Sequence, residues 1–143
     1  MKAIAIREFG GRDKLEMMEL PKPVPEAGEV LIRVKAAGMN PVDWKIREGL
    51  LKERLPHRFP LIPGWDAAGV DAATGEAVMA YCRKPVIQHG AYAEYIAVPK
   101  TSVARKPARL SFEQSAGIPL AALTAWQCLF EAAGLQRGQR ILV

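Results

Sequence analysis

The side chains able to do chemistry gather in two short stretches, Gly38-Met39-Asn40-Pro41-Val42-Asp43-Trp44-Lys45 and Leu61-Ile62-Pro63-Gly64-Trp65-Asp66-Ala67-Ala68-Gly69-Val70. In the first, Asn40 stands where a helix N-cap is expected, with Pro41 at the first helical position, Asp43 three residues after the cap and Gly49 as the stop. An amide held there can both donate and accept hydrogen bonds; helix capping alone would occupy the same side chain. Lys45 follows near the start of that helix, where a long cationic arm either reaches over the strand ends or stands in solvent. In the second stretch Pro63 presets a bend and Gly64 permits a backbone conformation closed to bulkier residues, so Trp65 and Asp66 are expected at the rim of the strand that follows. Turn chemistry supplies the plainer alternative, a hairpin start in which Trp65 caps a core and Asp66 accepts local backbone hydrogen bonds.

The surrounding elements must position these groups. Met1–Ile6 and Leu15–Leu20 read as a first hairpin across Gly10-Gly11, and Pro21, Pro23 and Pro25 impose an extended connection. Residues 28–35 alternate, with Val30, Ile32 and Val34 on one face and Leu31, Arg33 and Lys35 on the other, and this strand delivers the chain to Gly38. Between Gly49 and Pro60 the pattern is that of a charged loop, and His57 within it reads as a surface side chain. Thr74-Gly75 marks a tight turn from which Ala77–Tyr81 returns. Residues 88–99 alternate again as one strand, with His89 at its edge, where a hydrogen-bonded loop histidine competes with a proton-transfer role. Ser111-Phe112-Glu113-Gln114 is a capping box, and Leu120, Leu123, Trp126, Phe130 and Ala133 recur at helical spacing until Gly134. Arg137–Val143 starts as a turn and ends as an apolar strand.

Composition narrows the classes. A chain of 143 residues, 50% of them apolar, suits one core-bearing domain. Its two cysteines form neither a disulfide framework nor a Cys-x-x-Cys knuckle, which fits a reduced, cytoplasmic setting. No apolar run approaches the ~20 residues that cross a bilayer, so no membrane role is expected. The net charge of +5 is not interleaved with stacking aromatics, which are 7% of residues, so nucleic-acid binding is not expected either.

Together the two stretches resemble the N-terminal, GroES-like half of the medium-chain dehydrogenase/reductase superfamily, in its zinc-free quinone and enone reductase branch. The resemblance covers nearly the whole chain. Zinc alcohol dehydrogenases read roughly Gly-x-Cys-x-x-Asp and Gly-His-Glu at the matching places, with the Cys and His as metal ligands. Here those places hold Asn40 and Trp65, neither of which replaces a thiolate or an imidazole on zinc. Gly90-Ala91-Tyr92-Ala93-Glu94-Tyr95 is similar to the family's Gly-x-Tyr-Ala-Glu-Tyr strand, whereas the Thr74-Gly75 hairpin is shorter than its counterpart in relatives.

The resemblance implies a mainly β fold with short helices. Residues 1–119 would form a GroES-like, partly open β-barrel, and 120–143 a connecting helix and the first strand of a missing Rossmann nucleotide-binding domain. No Gly-x-Gly-x-x-Gly turn occurs in the chain, so a dinucleotide pyrophosphate has no cradle here. The implied activity is hydride transfer from NADPH to a small-molecule quinone or enone, with the 143-residue chain inactive alone. Residues that choose NADPH over NADH would lie in the missing half, and the resemblance leaves a homodimer open. It implies Lys45 as the donor that polarises the carbonyl, although other branch members carry Tyr there. It sets Asn40 beside the nicotinamide ribose or the substrate, and Thr124 at the nicotinamide end, where the alternative is a helix Thr bonding its own backbone. Trp65, Tyr81 and Gln88 would line the acceptor pocket; no metal is expected. Two rivals remain: a freestanding interaction module without chemistry, and a zinc alcohol dehydrogenase domain, which Asn40 and Trp65 disfavour.

Overall fold

The computed structural model describes residues 1–142. Within them nine strands and three short α-helices follow one another: β1 Lys2–Ala5, β2 Glu16–Glu19, β3 Glu29–Gly38, α1 Pro41–Arg47, β4 His57–Ile62, β5 Asp66–Asp71, β6 Ala77–Tyr81, β7 Ile87–His89, β8 Tyr95–Pro99, β9 Val103–Arg105, α2 Phe112–Ala116 and α3 Pro119–Trp126. The mainly β expectation holds. Five strands form one antiparallel sheet in the order β8-β3-β5-β6-β9, left open between its edges β8 and β9.

The strongest sequence signals become the centre of this sheet. Alternation in β3 sends Val30, Ile32 and Val34 into a cluster with Ala67, Val78, Ala80, Ile96 and Val98. β5 returns as β6 through the Thr74-Gly75 turn, pairing Asp66 with Tyr81 and Val70 with Ala77. The expected first hairpin forms, β1 pairing antiparallel with β2.

Three local expectations are corrected. The single strand expected over 88–99 is two strands in different sheets: β7 pairs parallel with β4, while β8 lies on the outer edge of β3. The break falls at Gly90, where a Cβ would run into the carbonyl oxygens of Ile62 and Pro63, so the chain crosses there with no room for a side chain. The loop expected up to Pro60 ends earlier, because His57–Ile62 is β4, held by β7 and by a reciprocal backbone pair between Ile6 and Leu61. Its His57 ring packs edge-on against Phe9 and Phe59. Finally, residues 140–142 form no strand, since nothing among the described residues offers them an edge; Leu142 is 97% exposed, and Val143 lies outside the described residues.

The helical stretch after Ser111 divides in two. Ser111 and Gln114 close the expected capping box reciprocally, at 3.0 and 3.2 Å, and α2 stops at Gly117. α3 restarts at Pro119 and runs into a π-helical segment, Gln127–Ala132, before Gly134. Among the described residues no helix is long and apolar enough to cross a membrane.

Gly64 confirms the turn reading, with φ at +101°. A Cβ there would also lie 2.6 Å from the Tyr92 ring. Gly64→Ala is therefore expected to cost about 2 kcal/mol or more, from backbone strain and the ring contact together. A urea midpoint that falls while the m-value stays constant is the measurement.

Candidate functional site

Asp66 opens β5 and is fully buried, as is its neighbour Trp65 apart from 9% of its surface. Neither sits at a rim, which corrects the sequence expectation. Three antiparallel strands converge there, with Asp66 opposite Gly38 on β3 and Tyr81 on β6. A Cβ on Gly38 would meet the Ala116 carbonyl and the Asp66 side chain, so the absence of a side chain lets the end of α2 close over this point.

Buried carboxylates require donors, and Asp66 has two kinds. The Asn40 side-chain amide donates to its Oδ2 at 3.0 Å, and the Leu120 backbone N–H donates to Oδ1 and Oδ2 at 3.0 and 3.2 Å. Leu120 lies in the first turn of α3, so one carboxylate ties the start of that helix to the N-cap of α1. Burial pushes the Asp66 carboxyl up to about 6, against the opposing pull of the Asn40 and Leu120 donors.

Asp43 anchors the other side. It accepts the Asn40 backbone N–H at 2.7 Å, the Gly64 N–H at 3.2 Å and the Tyr92 hydroxyl at 3.2 Å. Burial raises the Asp43 carboxyl despite these donors, and burial followed by the nearby Asp43 charge raises the Tyr92 hydroxyl. Asn40 is consequently held at its main chain by Asp43 and at its side chain by Asp66. Its Oδ1 lies over α1 in a capping-box arrangement but takes no hydrogen bond of normal geometry. Pure capping is not what this amide does.

The remaining candidates divide into two groups. Tyr81 lines an open groove of about 520 Å³ between β6, β9 and α3, together with Met79, Ile118, Ala122, Leu123 and Trp126. Trp65 and Gln88 instead face a small cleft with Cys82, Val86 and Gly90. Trp65 stacks edge-on against Tyr81 at 6.1 Å and belongs to an apolar cluster with Ile6, Ile46, Leu61 and Ile87. Of the three residues expected to line one pocket, Tyr81 therefore lines one hollow and Trp65 and Gln88 another, with the Trp65 and Tyr81 rings in contact.

Thr124 sits one turn beyond Leu120 on α3 and is exposed. Among the described residues nothing hydrogen-bonds its hydroxyl, whereas Ser115 does bond back to the Ser111 carbonyl at 2.8 Å. Lys45 is exposed on α1, 5.7 Å from the Trp44 ring centre, and no carboxylate among the described residues pairs with it. His89 is exposed at the end of β7, its basicity lowered by partial burial and by Lys84. Sequence reasoning missed the central role of Asp66; the one available signal was a carboxylate directly before an apolar strand.

Among the described residues no three His, Cys, Asp or Glu side chains converge. Cys82 is buried just beyond the end of β6, its thiol pushed up mainly by burial, and Cys128 is exposed. With an amide at Asn40 and an indole at Trp65, the purified chain is expected to carry no stoichiometric zinc. Elemental analysis after mild chelation checks this; one retained equivalent would restore the alcohol dehydrogenase alternative.

Comparison with known proteins places relatives around this geometry. The alcohol dehydrogenase GroES-like domain family matches residues 26–108. The chain is 38% identical over 149 residues to the quinone oxidoreductase of Lama guanicoe, covering 100% of this chain and 44% of that protein. It is 35% identical over 147 residues to the human synaptic vesicle membrane protein VAT-1 homolog-like, covering 100% and 35%. Among solved structures, the quinone oxidoreductase from Thermus thermophilus, determined also in complex with NADPH, superposes with a TM-score of 0.82 at 38% identity, covering 100% of this chain and 44% of that one. The chain therefore spans less than half the length of these relatives.

Proposed function

The chain belongs to the alcohol dehydrogenase GroES-like domain family, in the quinone oxidoreductase branch of the medium-chain dehydrogenase/reductase superfamily, and on that premise we propose that it is the catalytic domain of an NADPH-dependent quinone or enone reductase. In this reading residues 1–119 are the GroES-like domain and 120–143 lead into a nucleotide-binding domain of the same polypeptide. The exposed Leu123, Trp126 and Phe130 on and after α3 support it, since such a surface suits a covering domain.

One observation carries the proposal. Asp66 holds the start of α3 and the Asn40 amide on one carboxylate, leaving Asn40 Oδ1, which meets only the capping-box N–H of Asp43, with acceptor capacity to spare and, one turn further along α3, the Thr124 hydroxyl without a hydrogen bond. Those two groups fit the ribose and carboxamide end of a nicotinamide, which offers both donors and acceptors. When bound, the cofactor supplies the hydride. The chain's own residues then bind, orient and stabilise charge. Asn40 and Thr124 hold the nicotinamide end, and Tyr81 offers a groove wall to the acceptor ring. The Lys45 ammonium, free of a carboxylate partner among the described residues, steadies the oxygen that becomes negative as the carbonyl is reduced. Asp43 and Asp66 hold the loops and transfer no proton. Unpaired Cys82 and Cys128 accord with a cytoplasmic setting.

The test uses the full-length polypeptide and this 143-residue chain side by side. The full-length protein is expected to consume NADPH when given a quinone, and the short chain to show no NADPH affinity by calorimetry, because the pyrophosphate site is not in it. Absence of consumption across quinones and enones would favour the non-catalytic module. Tight NADPH binding by the short chain would show that the cofactor site is misplaced.

A further inference from the structure

We infer that Asp66 is a positioning residue for cofactor binding: it orients the Asn40 amide and locks α3 to α1, so that the groups on both helices meet the nicotinamide end at a set spacing. This deepens the reductase reading above and rests on it. The geometry is that of a clamp. Asp66 is fully buried, with no solvent to satisfy it, and its oxygens are divided between Asn40 Nδ2, 26 residues earlier in the chain, and the Leu120 N–H, 54 residues later.

An ionised carboxylate only accepts, so its bond to Asn40 decides which end of that amide is nitrogen. Oδ1 must then lie on the opposite side, over α1, where it keeps acceptor capacity for a ligand hydroxyl or N–H. With the Asn40 backbone fixed by Asp43, rotation of the side chain is the freedom left to this residue, and Asp66 removes it. The Leu120 bond does the same for the first turn of α3, the helix that carries Thr124. Neither bond touches the ligand. Losing Asp66 would therefore weaken cofactor binding through Asn40 and α3 rather than by removing a contact.

The test is a double-mutant cycle in the full-length polypeptide, with NADPH itself as the titrant. Asp66→Asn keeps the side-chain size but can present the wrong atom to one of its donors, and Asn40→Ala removes the amide that Asp66 orients. Each single variant is expected to bind NADPH about tenfold more weakly, the scale of one hydrogen bond to a charged group. The double variant is expected to bind only about two- to threefold more weakly than Asn40→Ala, the share that the Leu120 bond to α3 keeps when no amide is left to orient. The loss should fall on KM for NADPH, with kcat at saturation changing less. Additive losses, about a hundredfold in the double variant, would overturn the proposal and leave Asp66 merely structural.

A second measurement needs no activity. In the unsubstituted 143-residue chain, one Asn40 side-chain N–H should exchange slowly with solvent because it is donated to a buried carboxylate. Rapid exchange of both protons would also overturn the proposal. Should the full-length protein bind no NADPH while that proton stays protected, the reductase reading fails and the Asn40–Asp66 contact itself stands.

Discussion

Asp66→Ala is expected to lower the unfolding free energy by about 3 kcal/mol or more. The substitution leaves the Asn40 amide and the Leu120 N–H without their acceptor in a place water does not reach. Asp66→Asn should be milder, within about 1 kcal/mol, because it removes the cost of a buried charge while opposing one donor to the Leu120 N–H. The two variants separate the carboxylate's hydrogen bonds from its charge.

The pH dependence follows with a definite sign. Asp66 titrates at about 6 in the fold, above the usual aspartate value near 4 in an unfolded chain, so between those values the native state binds more protons. Its contribution to stability is thus fully present below about pH 4 and is lost as pH rises through about 6, by an amount on the order of 3 kcal/mol. Urea unfolding of the unsubstituted chain and of Asp66→Asn across this range is the measurement. The unsubstituted chain should gain stability relative to Asp66→Asn on acidification; a parallel pair of curves would remove Asp66 from the titration.

Lys45→Met in the full-length polypeptide is expected to lower kcat about a hundredfold, roughly 3 kcal/mol, with little change in NADPH affinity. The charge that Lys45 meets develops only as hydride arrives, so the interaction belongs to the transition state. Methionine keeps most of the side-chain volume, and Lys45 packs into no apolar cluster, so folding should be unaffected; Lys45→Arg keeps the charge at a changed reach and should be intermediate. Steady-state kinetics with one quinone at saturating NADPH decide the matter. Full activity in Lys45→Met would return this residue to the solvent-exposed face of α1 and leave the oxyanion to Asn40 or to a cofactor hydroxyl.

Much of this fold could be read along the chain because its signals are local. Alternation in β3, the Thr74-Gly75 turn between β5 and β6, the Asn40-Pro41-Asp43 start of α1 and the Ser111–Gln114 box each involve residues within a few positions of one another. Propensity, side-chain period and capping act at that range and survive in any environment. That Asn40 and Trp65 carry an amide and an indole, neither of them a zinc ligand, was equally plain, being a matter of residue type.

What pattern could not supply was the company each residue keeps. Residues 88–99 alternate well enough for one strand, yet their two halves join different sheets, because the partners of β7 and β8 come from distant parts of the chain. Trp65, Tyr81 and Gln88 promised one pocket, but Tyr81 lines a groove with α3 while Trp65 and Gln88 line a separate small cleft, the indole also packing in the core. Asp66 is the sharpest case. As a letter in the sequence it reads as a polar residue at a turn; in the fold it is sealed from water and bonded to partners 26 and 54 residues away. Residue type and short-range periodicity state what a segment prefers on its own, whereas burial and long-range hydrogen bonding arise only when strands and helices close on one another. That closure turned a turn carboxylate into the joint between two helices.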